Sequence, residues 1–113
     1  MRLFNRPHRV DASRAAELLE RGQAVVLDVR ENLEWKAGRI PGGLHVPLAR
    51  VLARRHELPR DMTIVTVSRS GHRSGLAARG LRHAGYRVEN LDGGMKAWAH
   101  AGLPLDPPDG RVL

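Results

Sequence analysis

Met62-Thr63-Ile64-Val65-Thr66-Val67, followed without a break by Ser68-Arg69-Ser70-Gly71-His72-Arg73-Ser74-Gly75, decides how this chain folds. The first six residues form a continuous, largely β-branched run, the pattern of a strand buried on both faces of a parallel sheet. A glycine-containing loop follows. The next helix is expected from about Ser74 to Ala84, with Leu76, Ala77 and Leu81 on one face and Gly85 as its stop. A strand that turns directly into a helix gathers backbone N–H groups toward one point and aims the positive end of the helix at it. Gly71 permits a positive φ, Ser70 is small, and Arg69 and Arg73 add charge nearby. An anion cradle over Ser68–Arg73 is the expectation, with His72 inside the loop. An ordinary turn with solvated arginines is the alternative.

Working outward, Ala24-Val25-Val26-Leu27-Asp28-Val29 reads as a second buried strand and Arg87-Val88-Glu89-Asn90-Leu91 as a further short one. Before the first of these, Ala12-Ser13 and RAAELLERG predict a helix capped by Asp11 or Ser13 and ended by Gly22. RENLEWKAG holds about two helical turns, and Arg39 to Pro47 is a turn leading into a brief extended piece. A helix is expected over Leu48–Leu58, stopped by Pro59. Another runs from Met95 to Ala101, opened by Gly93-Gly94. The Pro-rich tail, 106–113, is irregular, either frayed or packed along the surface. Alternating strands and helices imply α/β architecture: a three-layer sandwich, a mainly parallel sheet of about five strands, and helices on both faces. Ligands of such sheets bind beyond the carboxyl ends of the strands, where the Ser68 loop lies. One domain over 1–113, with its core over about 10–105, suits the length.

Composition narrows the chemistry. Cysteine is absent, which excludes disulfides, thiolate metal sites and a cysteine nucleophile. The six histidines never fall in an HxH or HxxxH pair, so no metal site is expected. Net charge is +7, and only Lys36 and Lys96 among the 19 basic residues are lysine. The arginines are scattered and the aromatics few, which favours an Arg-rich solvated surface over a nucleic-acid face. MRLFNRPHRV carries charge throughout and reads as no signal peptide. No apolar stretch approaches the ~20 residues of a membrane-spanning helix, so a cytoplasmic protein with no membrane partner is expected.

Three segments together resemble the rhodanese-like (thiosulfate sulfurtransferase) family. They are Leu27-Asp28-Val29-Arg30-Glu31 with Glu34-Trp35 and Gly38 to Leu48; the loop SRSGHRS; and Leu91-Asp92-Gly93-Gly94-Met95-Lys96-Ala97-Trp98 with Ala101 to Pro104. The matches keep the family's order and spacing over roughly residues 10 to 105. The resemblance implies the family's fold and a cysteine thiolate that takes sulfane sulfur from thiosulfate or a persulfide donor. The resulting enzyme persulfide then passes sulfur to cyanide, a thiol or a sulfur-carrier protein, with no cofactor. The six-residue loop is the size associated with sulfur transfer; related phosphatases use a loop one residue longer. Ser68 stands at the nucleophile position and Arg69, Ser70, Gly71, His72 and Arg73 at the substrate-binding loop.

The departure is Ser68 itself. A serine hydroxyl is far less acidic than a thiol and cannot carry sulfur as a persulfide, and no neighbouring base makes it a hydrolase nucleophile. The chain is therefore expected to be inactive in persulfide-forming transfer. Because everything around Ser68 still matches an active loop, an engineered or recent Cys-to-Ser exchange is favoured. A natural, non-catalytic anion-binding or protein-interaction module is the alternative. In either case sulfate, phosphate or thiosulfate should bind the loop amides weakly and salt-sensitively. Asp28 and Arg30 are read as a structural pair near the sheet edge, Trp35 and Trp98 as core aromatics, and His45 as a hydrogen-bonded structural residue. Gly93-Gly94 is expected to let the last helix approach the loop closely, and Arg39, where the family has histidine, to affect packing only.

Overall fold

The computed structural model describes residues 8–113; the absence of a leader, so far as it rests on residues 1–7, lies outside them. The chain forms β1 (Arg9–Val10), α1 (Ala12–Glu20), β2 (Ala24–Asp28), α2 (Asn32–Ala37), β3 (Leu44–His45), β4 (Thr63–Val67), α3 (His72–His83), β5 (Val88–Leu91) and α4 (Gly94–His100). Asp11, not Ser13, caps α1, its carboxylate accepting from the Arg14 N–H at 2.8 Å. β1 carries no sequence signal, because two residues are too few to show a period.

All strand pairs are parallel, in the order β1-β5-β4-β2-β3. Both faces are covered. Val26, Val65 and Leu91 pack with Ala15 of α1 and with Met95 and Trp98 of α4. Leu27, Ile64 and Val88 point the other way, onto Ala77 and Leu81 of α3 and onto Tyr86. Alternate residues of each strand thus feed opposite layers, which is why the β2 and β4 runs read as almost continuously apolar. The α/β three-layer expectation is met.

Three local expectations are corrected. Leu48–Leu58 is not one α-helix but two short 3-10 turns, Leu48–Arg50 and Arg55–Glu57. The segment closes mainly by i→i+3 hydrogen bonds, among them Arg50 N–H to the Pro47 carbonyl at 2.8 Å and Leu58 N–H to the Arg55 carbonyl at 2.9 Å. Its ends are tied outward, Leu48 N–H donating to the Val29 carbonyl and the Arg55 carbonyl accepting from the Tyr86 hydroxyl. α3 begins two residues early, at His72, because Gly71 in the left-handed region (φ 104°) serves as its N-cap. Leu76 faces outward, 49% exposed, since Ser74, Ala77, Ala78 and Leu81 make the buried face instead. The tail packs rather than frays: Asp106 and Arg39 exchange backbone hydrogen bonds, and Arg111 N–H reaches the Ala37 carbonyl. Among the described residues, no helix is long and apolar enough to cross a membrane.

Candidate active site

The carboxyl ends of β2, β4 and β5 converge on the loop that opens α3. Ser68 follows β4 directly and is only 1% exposed. Its Oγ accepts from the N–H of Gly71 at 3.2 Å and of Ser74 at 3.1 Å, and it shares a hydrogen bond with Ser74 Oγ at 2.9 Å. The amide of the α3 N-cap, one amide of its first turn and one hydroxyl therefore meet at a single side-chain atom. Negative charge on that atom would be stabilised by all three and by the helix dipole.

Two neighbours hold this geometry. Asn90 on β5 donates from Nδ2 to the Gly71 carbonyl at 2.9 Å, and its Oδ1 accepts from Thr66 Oγ1 at 3.2 Å. That holds Gly71 from its carbonyl side while its N–H faces Ser68. On the other side, Met95 N–H donates to the Ser68 carbonyl at 2.8 Å and Lys96 N–H to the Arg69 carbonyl at 3.0 Å. Gly94 makes this approach feasible. It sits at φ 59°, and a Cβ there would collide with the Ser68 carbonyl oxygen and with the Arg69 carbonyl. Gly94→Ala is expected to cost about 2 kcal/mol in chemical denaturation by combining positive-φ strain with overpacking. It should also broaden the loop amide resonances.

The arginines of the loop go elsewhere. Arg73 forks onto Glu34 of α2, with Nη1 and Nη2 at 2.7 and 2.8 Å from its two oxygens. Arg69 is exposed and donates from Nε to the Leu113 carbonyl at 2.6 Å. Ser70 and His72 are exposed, and neither side chain hydrogen-bonds Ser68. The positive character at the centre comes from backbone amides, not from full charges. A carboxylate with matched fork geometry holds Arg73 more favourably than open solvent does.

The Arg73 hydrogen bonds, opposed by burial and aided by the Glu31 N–H and the charges of Arg73 and Arg30, lower the Glu34 carboxyl from 4.5 to about 2. A carboxyl depressed on folding stabilises the native state above its unfolded pKa and loses that contribution as pH falls toward its folded one. With Glu34 18% exposed, screening leaves about 1–2 kcal/mol of this at neutral pH. Glu34→Gln should lower the neutral-pH melting temperature and flatten its decline between about pH 5 and 2, relative to the parent chain.

Beneath α2, Asp28 and Arg30 form a buried pair, 2% and 0% exposed, with Arg30 Nη2 at 2.8 Å from Asp28 Oδ2. The pair ends an interior strand instead of lying at the sheet edge, because β3 pairs outside β2. Arg30 also donates to the carbonyls of Glu34 and Gly38, so it anchors α2. His45 Nε2 donates to the Arg30 carbonyl at 2.8 Å, a structural role. Trp98 is core, but Trp35 is not: it is half-buried between the His45 ring, stacked 4.9 Å away, and the Arg39 guanidinium at 4.0 Å. Ser74, Glu34 and Asn90 complete the site. Ser74 and Glu34 lie in the matched segments of sequence, whereas nothing in the sequence marks Asn90.

A profile of the rhodanese-like domain family matches residues 11–101. An HTH-type transcriptional regulator of Mycobacterium tuberculosis is 42% identical over 101 residues, covering 85% of this chain and 45% of that protein. This chain thus spans under half the length of that relative. A sulfurtransferase of Allochromatium vinosum is 38% identical over 99 residues, covering 87% of this chain and 92% of the relative. The crystal structure of a rhodanese-related protein from Thermoplasma volcanium superposes with a TM-score of 0.82 at 26% identity, covering 87% of this chain and 96% of that one.

Proposed function

The chain belongs to the rhodanese-like domain family, and from that membership we propose a sulfurtransferase scaffold that binds a sulfur oxyanion but stops short of the enzyme persulfide. Its sulfurtransferase-named relative supports the scaffold. One observation carries the rest: Gly71 N–H, Ser74 N–H and the Ser74 hydroxyl all meet at Ser68 Oγ, where the family's mechanism forms an anion. In that mechanism a thiolate attacks the outer sulfur of thiosulfate, the S–S bond breaks, and sulfite leaves with the electron pair. Cyanide or a thiol then takes the outer sulfur, and the thiolate returns. A neutral serine hydroxyl supplies neither the nucleophile nor a stable sulfur carrier.

The non-covalent part of the site remains. Thiosulfate, sulfate or phosphate occupies the mouth of the loop Ser68–Arg73, held by the loop backbone and the positive end of α3, weakly and in a salt-dependent manner. Both histories of Ser68, engineered exchange or natural binding module, give this behaviour. The test is mass spectrometry after incubation with thiosulfate. The serine chain should gain no sulfur, whereas Ser68→Cys should gain one atom, removable by cyanide. A folded cysteine variant that never gains sulfur from any donor overturns the sulfur-transfer reading and leaves the binding module.

A further inference from the structure

A groove of about 450 Å³ lies along α3, with Ser70, Gly71 and His72 of the loop at one end and Arg79, Arg82 and Asp92 farther along its wall. Its one carboxylate, Asp92, is already faced by Arg9 at 3.7 Å. None of the ion pairs among the described residues uses Arg79 or Arg82. Arg82 Nη1 is buried and has no hydrogen-bond partner, the one such side-chain atom among the described residues. Buried donors are almost always satisfied. Arg79 and Arg82 stand three residues apart on one helix, a spacing at which like charges repel. Both costs disappear when an oxyanion bridges the two guanidinium groups, whose planar forks match phosphate oxygens. The volume is that of a small-molecule site, and Leu76 and Ala78 give it an apolar wall.

We propose that this groove holds a second anion site, centred on Arg79 and Arg82 of α3 and adjoining the Ser68 loop, taking an oxyanion of at least two negative charges, of phosphate or diphosphate type. The inference does not rest on sulfur chemistry. Titration of the full chain with pyrophosphate, at low and at moderate salt, tests it by calorimetry and by nitrogen–proton NMR. The expected result is saturable binding with shifts at the Leu76 amide and the Arg79 and Arg82 Nε–H groups. Arg79→Gln and Arg82→Gln should each weaken it at least about tenfold, while Arg50→Gln, which removes the same charge away from the groove, leaves it unchanged. Without ligand, Arg82→Gln should melt no lower than the parent, because it removes the orphaned donor. With pyrophosphate, the parent and Arg50→Gln should gain the same melting temperature, and Arg79→Gln and Arg82→Gln clearly less. Shifts confined to Ser68 and Ser74, equal weakening by Arg50→Gln, or no saturable binding would each overturn the second site.

Discussion

Ser68→Cys is expected to release thiocyanate from thiosulfate and cyanide on the order of 10³-fold or more faster than the serine chain, which should not exceed buffer. The cradle is already assembled for this. The new sulfur replaces an oxygen that receives the Gly71 and Ser74 N–H groups and the Ser74 hydroxyl, at the first turn of a 12-residue helix. Such surroundings favour a thiolate over a thiol, so turnover should rise through a midpoint below the ~8.5 of a free cysteine. Burial works against this, since Ser68 is 1% exposed and apolar enclosure raises a thiol. The three aligned donors outweigh burial, because each acts directly on the sulfur. A midpoint at or above the free value would show that the loop does not stabilise the anion. Absence of thiocyanate from a folded variant, with thiosulfate and with a persulfide donor, would remove sulfur transfer from the chain's repertoire.

Asp28→Ala should be the most damaging single change to stability, lowering it by about 3–5 kcal/mol. Arg30 is fully buried, and its Nε and Nη2 reach Asp28 at 2.8–3.1 Å. Removing the carboxylate leaves a guanidinium without a counter-charge at the end of an interior strand, and that uncompensated charge is what costs the energy. The same arginine holds the Glu34 and Gly38 carbonyls, so α2 loosens and the Glu34–Arg73 fork loses its base. Urea unfolding followed by the fluorescence of buried Trp98 reads the loss. Asp28→Ala with Arg30→Met should be more stable than Asp28→Ala alone, because it removes the stranded charge. A double variant no better than the single one would mean that packing, not the unpaired charge, sets the cost.

The pattern of apolar runs made most of the fold legible. β2 and β4 announce themselves because both faces are buried, so their runs are almost wholly apolar or β-branched; β5 is marked more weakly, by Val88 and Leu91 around Glu89 and Asn90. Helices with a polar outer face show their period, and α1, α3 and α4 were readable for that reason. Leu48–Leu58 misled because its apolar spacing suits a helix while its backbone closes in tight i→i+3 turns tied at both ends to Val29 and Tyr86. Leu76 misled because an isolated exposed leucine looks like a core one when only spacing is known. β1 was silent because two residues carry no pattern.

Within the site, linear order located Ser68 and the loop, because strand, glycine turn and helix are contiguous and local geometry aims the amides. It also established that no thiol is present to carry sulfur, since composition needs no fold. Tertiary structure alone decided where charge goes. Glu34 meets Arg73 across 39 positions and takes its guanidinium, and Asn90 pins Gly71 across 19. Residues so far apart in the chain share a site only when the parallel sheet brings its strand ends together. The same packing leaves Arg79 and Arg82 without carboxylates beside a groove, a placement no spacing rule contains. Propensity and period are properties of neighbours in sequence; partnership between charges is a property of neighbours in space.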